Sequence, residues 1–172
     1  MTMYSSMIAF DDVLERVALI AKRRPEEQDG TVTFPGGKVE DVDWSEKISA
    51  MAGWTREDID NAHKRCAIRE TREETDLSVT DVVHVCTLKR GDSSIAFFAT
   101  KQTVMSELKQ MTDEVPICAR VADVIAGTVP IVGFKKLPVM PNVPWLLLMA
   151  KRALLADKRD AQPPFDISER SR

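Results

Sequence analysis

Arg69-Glu70-Thr71-Arg72-Glu73-Glu74 is the stretch on which the reading of this chain turns. It lies inside a run from Thr55 to Thr75 that contains no Gly or Pro and is dominated by charged helix formers, which predicts a long helix. Thr55, with Asp58 three residues on, resembles a capping box and marks the start. At about 100° per residue, and with Glu70 at zero, Glu73 falls near about 300° and Glu74 near about 40°. Three carboxylates therefore crowd one side of one helix. Like charges at these spacings repel and destabilise a helix, and a sequence selected for stability alone would intersperse cations there. A divalent cation removes the repulsion, and clustered carboxylates select hard ions, Mg²⁺ with Mn²⁺ as substitute. Taken by itself the hexapeptide reads equally well as a solvated charged face.

Upstream stands Phe34-Pro35-Gly36-Gly37-Lys38-Val39-Glu40. Thr31 to Phe34 is β-branched and aromatic, a strand signal that Pro35-Gly36-Gly37 stops. Two glycines there let the backbone turn sharply and approach a metal or phosphate. Before it, Met7–Phe10 and Val17–Ala21 read as strands, the second running into the basic Lys22-Arg23-Arg24. After the helix, Val82–Leu88 and Ile95–Thr100 read as two strands joined by a hairpin turn at Lys89-Arg90-Gly91-Asp92. Thr103–Met111 is expected to be a short helix, as is Trp44–Ala52. Pro144 to Lys158 is expected to be an amphipathic helix with Pro144 in its first turn. Strands, a long helix, strands and a final helix predict an α/β (α+β) fold, a mixed sheet between helices. The domain is expected over residues 1 to 158, with a loose polar tail from 159 to 172.

With 172 residues, 44% hydrophobic and 30% charged, the chain suits one domain with a single sizeable core. A net charge of −3 gives no broad basic surface, so a nucleic acid duplex is not an expected partner. The three cysteines, Cys66, Cys86 and Cys118, form no CxxC pair and read as reduced, buried thiols. No signal-like or membrane-spanning stretch is evident, so a cytoplasmic protein without a membrane partner is expected. A homodimer is left open.

The two segments together resemble the Nudix box: Gly, five residues, Glu, seven residues, Arg-Glu, apolar, any, Glu-Glu, any, Gly, apolar. Gly37 matches the first Gly, and Arg69, Glu70, Glu73, Glu74 and Leu77 match the second half. Phe34-Pro35-Gly36 is the usual approach. The resemblance spans most of residues 7 to 158 and implies a Nudix-type α/β/α sandwich. Four positions depart from the pattern. Gly37 and Arg69 are 32 residues apart, 18 more than in the box, so an insertion at about residues 41 to 61 splits it. The box's first Glu has two incomplete matches, Asp43 counted from Gly37 and Asn61 counted from Arg69. Asp76 replaces the final Gly, and Thr71 stands where an apolar residue is usual. Split boxes with Cys66-Ala67-Ile68-Arg69-Glu70 after the insert are similar to a coenzyme A-cleaving branch.

The resemblance implies that Glu73 and Glu74 ligate Mg²⁺ together with the Gly37 carbonyl. Glu70 is a further ligand or takes the proton from the attacking water, and Arg69 holds a carboxylate through a charge-assisted fork. Asp113 and Glu114 are the candidates for a further loop carboxylate that acts as base or completes the metal shell; the alternative is a pair of surface charges. Lys38 and Arg23 (or Arg24) are the candidates for steering phosphates. Asn142, in the Pro-rich turn Leu137 to Pro144, resembles the residue that MutT-type enzymes set against a purine; the alternative is a plain helix cap. Trp145 is expected in the core rather than on a base, and His63 and His84 carry no assigned chemistry. The favoured reaction is cleavage of a (deoxy)nucleoside triphosphate to monophosphate and pyrophosphate. A coenzyme A or ADP-ribose diphosphatase, and a silent nucleotide-binding domain, are the alternatives.

Overall fold

The computed structural model describes residues 2–21, 31–44, 54–102, 108–130, 136–156 and 167–168. The strands are β1 (Thr2–Asp11), β2 (Arg16–Ala21), β3 (Val32–Thr33), β4 (Gly36–Lys38), β5 (Val83–Arg90), β6 (Ser93–Gln102), β7 (Val115–Arg120), β8 (Thr128–Val129), β9 (Leu137–Pro138) and β10 (Ile167–Ser168). The helices are α1 (Arg56–Thr75), α2 (Val121–Ile125) and α3 (Val143–Leu155), with a 3₁₀ turn at Asp41–Asp43. No helix among the described residues is long and apolar enough to cross a membrane.

The eight-stranded main sheet is built around β1. This strand pairs in parallel with β6 over its whole length, from Thr2 opposite Ser93 to Asp11 opposite Gln102. It pairs antiparallel with β2 and β4, and the main sheet runs β10-β5-β6-β1-β2-β3, with β7 on β2. A strand paired on both sides and covered on both faces should read as a continuous apolar run. Met7 to Phe10 does, and all four are fully buried. One face carries Ile8, Phe10, Leu19 and Phe97 against Leu146 and Leu147 of α3. The other carries Met7, Ala9, Ala18 and Phe98 against Ala67 of α1. The expected mixed sheet between helices is therefore present.

Local chemistry sets the limits of α1. The Thr55 hydroxyl accepts from the Asp58 N–H at 3.2 Å while the Asp58 carboxylate accepts from the Thr55 N–H at 2.9 Å, the reciprocal capping box. Asp76 ends the helix at φ +60°, a left-handed conformation that Asp tolerates better than most residues, and its carboxylate meets Lys109 at 3.2 Å. Thr71 is fully buried, and its hydroxyl donates to the Ala67 carbonyl at 2.7 Å. A bonded hydroxyl is compatible with an apolar position, so neither departure at the end of the helix disturbs it.

The sequence expectations differ from the structure in several places. β1 begins at Thr2, five residues before the apolar run. β7 and α2, which follow Glu114, carry no sequence signal noted above. Of the expected helix at Thr103–Met111, residues 103–107 lie outside the described residues, and Leu108 to Met111 are not helical. The Lys109 N–H instead donates to the Thr75 carbonyl at 3.1 Å, which satisfies it through the end of α1. The expected helix at Trp44–Ala52 falls on undescribed residues beyond Trp44. What flanks that segment is described: Trp44 and Trp54 stack with ring centroids 4.1 Å apart, so the two ends of the insertion meet. Of the tail, Ile167–Ser168 pairs in parallel with Leu88–Lys89.

Candidate active site

β4 lies antiparallel on β1 with Ser5 opposite Gly37 and Ser6 opposite Gly36. The approach is close enough to exclude side chains. A Cβ on Gly36 would stand 2.3 Å from the Ser5 carbonyl oxygen and 2.7 Å from the Ser6 Cα, both backbone. A Cβ on Gly37 would first meet the Glu70 carboxylate, at 2.3 to 2.5 Å. The two glycines therefore do different things: Gly36 lets β4 reach β1, and Gly37 leaves room for Glu70.

α1 presents its acidic side to this glycine pair. The Gly36 N–H donates to the Glu74 carboxylate at 2.8 Å. Glu74 is buried, and burial pushes its carboxyl up to about 8; the Gly36 hydrogen bond opposes the rise, while Glu114 and Glu70 add to it. Glu70 is also raised, first by burial, with Arg69 opposing and Glu73 and Glu40 adding. Arg69 anchors the group. Its Nε and Nη2 donate to the two Asp43 oxygens at 3.0 Å each, while Nη1 donates to Glu73 at 2.9 Å and meets Glu70 at 2.8 Å. This fork holds the guanidinium protonated and is the strong, oriented kind of ion pair. Asp43 is 1% exposed and stands where the box has its first Glu, whereas Asn61 is exposed. The count from Gly37 is the one the tertiary structure uses, and the extra residues enter after it.

A cavity of about 570 Å³ opens from this group, a usual size for a small-ligand site. Lys38, Gly37, Glu70, Glu73 and Glu74 line it, and so does Asn142 at the start of α3. Asn142 makes no side-chain capping bond. Glu114 lines the cavity and accepts from the Thr112 hydroxyl at 3.1 Å, while Asp113 is exposed and is not among the lining residues. Trp145 is 43% exposed on α3 and lines no part of the cavity, which corrects the core expectation: the inner face of α3 is already filled by Leu146 and Leu147. Arg23 and Arg24 lie outside the described residues. Cys66 and Cys86 are buried as expected and Cys118 partly so, all three unpaired. Tyr4, Ser5 and Ser6 of β1 also line the cavity. Sequence reading missed them because no local signal separates a lining residue from any other start of a strand.

Two neutral groups lie behind the site. The Cys66 thiol donates to the Gly37 carbonyl at 3.6 Å, and burial, with Asp43 and Glu70 nearby, pushes the thiol up to about 12. His63 is buried, its Nδ1 bonded to the Ser5 hydroxyl at 2.8 Å, and burial lowers its affinity for a proton. Both tie α1 to the strands beneath it.

The donor set at the open end of the cavity is all oxygen, which fits Mg²⁺ or Mn²⁺. Four carboxylates, Glu70, Glu73, Glu74 and Glu114, line it beside Lys38, and this excess of negative charge is what a divalent ion neutralises. Among the described residues no three acidic, His or Cys side chains converge as a finished metal shell: Glu70 and Glu73 are turned to Arg69, and Glu74 to Gly36.

The architecture matches known structures along most of the chain. A Nudix hydrolase from Alicyclobacillus acidocaldarius is similar at TM-score 0.64 and 12% identity, over 88% of this chain and 91% of that one. The fold is that of the Nudix hydrolases. The Nudix domain of Shewanella oneidensis NrtR, crystallised with ADP-ribose, matches at TM-score 0.57 and 14% identity, over 89% of this chain and 86% of that one. A MutT structure, from work on the proteins of Aliivibrio salmonicida and Vibrio cholerae, matches at TM-score 0.55 and 20% identity, over 88% of this chain and 98% of that one. No family profile and no curated protein sequence matches the chain. The Nudix box motif is thus carried here on a Nudix fold, with Gly37 and the acidic side of α1 at one cavity despite the residues inserted between them.

Proposed function

We propose that this protein is a Mg²⁺-dependent Nudix hydrolase that cleaves a nucleoside triphosphate to monophosphate and pyrophosphate. The observation that carries the reading is one cavity with the Glu70, Glu73, Glu74 and Glu114 carboxylates around Gly36-Gly37 and, on its wall, Asn142, whose side chain makes no capping bond to α3. Glu73, Glu74 and the Gly37 carbonyl are the groups that would hold the ion. Mg²⁺ there supplies charge neutralisation at the phosphate oxygens and acidifies water. Glu70 takes the proton as the water oxygen bonds to the α-phosphorus, and the bond to the bridging oxygen breaks to release pyrophosphate. Arg69, held by Asp43, fixes where Glu70 and Glu73 point; positioning of this kind is a large share of phosphoryl-transfer catalysis. Lys38 attracts the phosphates, a role also assigned to Arg23.

Asn142 reads the base, since its amide donates and accepts together, as a purine edge requires. The test is a Mg²⁺-dependent hydrolysis screen of purine and pyrimidine triphosphates, ADP-ribose and coenzyme A with wild type, Glu74→Gln and Asn142→Ala. Glu74→Gln is expected to lose turnover by orders of magnitude with its fold intact. Asn142→Ala is expected to lose efficiency on purine triphosphates more than on pyrimidine ones, because a site built to bond one base edge discriminates through that bond. Absence of triphosphate cleavage by the wild type, or an equal loss across bases, overturns the assignment.

A further inference from the structure

The outer face of α1 forms a second cavity, of about 550 Å³, lined by Arg65, Ile68, Arg69, Arg72, Asp76 and Met111. Glu73 is the partition, lining both this groove and the site cavity. The spacing of Arg65, Arg69, Arg72 and Asp76 is that of one helical stripe, with Arg72 and Asp76 exposed. Its acidic members are already neutralised: Glu73 pairs with Arg69 at 2.9 Å, and Asp76 with Lys109 at 3.2 Å. Its cations are not all used. Arg69 is spent on Asp43, Glu70 and Glu73. Arg65 uses its Nε on the Asp43 carbonyl, and its charge also acts on Asp58. The Arg72 side chain has no hydrogen-bond or ion-pair partner among the described residues. The two neighbouring cavities thus carry opposite charge: excess carboxylate on one side of Glu73 and uncompensated guanidinium on the other. Ile68 and Met111 add apolar wall to the groove, and less water strengthens a charge contact.

We propose that this groove is a binding subsite for the phosphates beyond the scissile bond, with Arg72 as its main anion contact and Arg65 in support. The proposal rests on the triphosphate reading for the direction of the substrate, with the base at Asn142, the reacting phosphorus by Glu70 and Glu74, and the distal phosphates past Glu73. It adds chain-length selectivity set by α1 itself: triphosphates over diphosphates, and a nucleoside tetraphosphate accepted at least as well.

Tripolyphosphate in metal-free buffer with chelator is the probe, because without a cation the four carboxylates of the acidic cavity repel it, whereas Arg72 of the groove attracts it. Calorimetric titration at low salt is expected to show one site in the wild type. Affinity should fall about tenfold in Arg72→Ala, the size expected for one charge-assisted contact, and largely return in Arg72→Lys. Added salt should weaken binding. In the Mg²⁺-dependent assay Arg72→Ala should lose more efficiency on a triphosphate than on the matching diphosphate. Arg72 is exposed and has no partner among the described residues, so an unchanged melt is expected in both variants. Wild-type binding that Arg72→Ala leaves intact, absence of binding, or equal losses on tri- and diphosphate overturn the groove. Arg72-dependent binding without any nucleotide hydrolysis would uphold the groove and overturn the proposed function, so the two fail separately.

Discussion

Gly36 and Gly37 are adjacent, yet alanine at each should fail for a different reason. At Gly36 the new Cβ would stand 2.3 Å and 2.7 Å from backbone atoms of β1. Backbone in a paired strand has nowhere to rotate, so β4 must retreat by roughly 1 Å, an overpacking that costs about 1–3 kcal/mol. The Gly36 N–H to Glu74 bond is stretched with it, which brings the expected loss to about 3 kcal/mol. For a domain of this size that lowers the melt by about 6–12 °C. At Gly37 the nearest atoms to the new Cβ are those at the end of the Glu70 side chain, and Gly37 does not have a positive φ. The carboxylate swings aside, so stability should change by less than about 1 kcal/mol. A misplacement of about 1 Å at a reacting group nevertheless costs on the order of 10²-fold in rate. Melts of Gly36→Ala and Gly37→Ala, with kcat/KM on a purine triphosphate, separate the two. A Gly37→Ala enzyme with wild-type efficiency would refute the role given to Glu70, and a Gly36→Ala protein as stable as wild type would refute the close approach of β4 to β1.

Asp43→Ala removes the fork that holds Arg69, but Arg69 keeps Glu70, Glu73 and the Lys38 carbonyl. The expected loss is about 2–3 kcal/mol, below that of a fully orphaned buried charge, with a drop in kcat larger than any rise in KM; a denaturant melt and steady-state kinetics check it, and an unchanged kcat would count against Arg69 as a positioning residue. Glu74, pushed up to about 8, binds a proton more tightly folded than unfolded. In metal-free protein the Glu74 contribution to stability should therefore be full below the ordinary carboxylate range and be lost as pH rises through about 8. Melts between pH 4.5 and 8.5 should show the slope in wild type and a smaller one in Glu74→Gln, and Mg²⁺ should flatten it. Identical slopes in the two proteins would remove Glu74 as its source.

Period and capping chemistry in the sequence alone determined α1: a gap-free run of helix formers, the Thr55–Asp58 box, and three carboxylates on one side. The apolar run at Met7–Phe10 likewise marked the centre of the sheet. These features are written in residues a few positions apart, where helix and strand geometry fix which side chains share a face. Phe34-Pro35-Gly36-Gly37 reads in sequence as a strand stop, whereas Gly36 and Gly37 themselves belong to β4, paired with Ser6 and Ser5 of β1. Only the tertiary structure decided between Asp43 and Asn61 as the partner of Arg69, and between Asp113 and Glu114 as the carboxylate facing the cavity. It also decided that Asn142 lines the cavity without capping α3, that Trp145 lies outside the core, and that Tyr4, Ser5 and Ser6 form part of the wall. Each of those outcomes depends on segments far apart in the chain being brought together by β1, with β4, β6 and α1 packed on it. No local periodicity carries that information, because burial of a common apolar face, not proximity in sequence, sets which loops and helix ends meet.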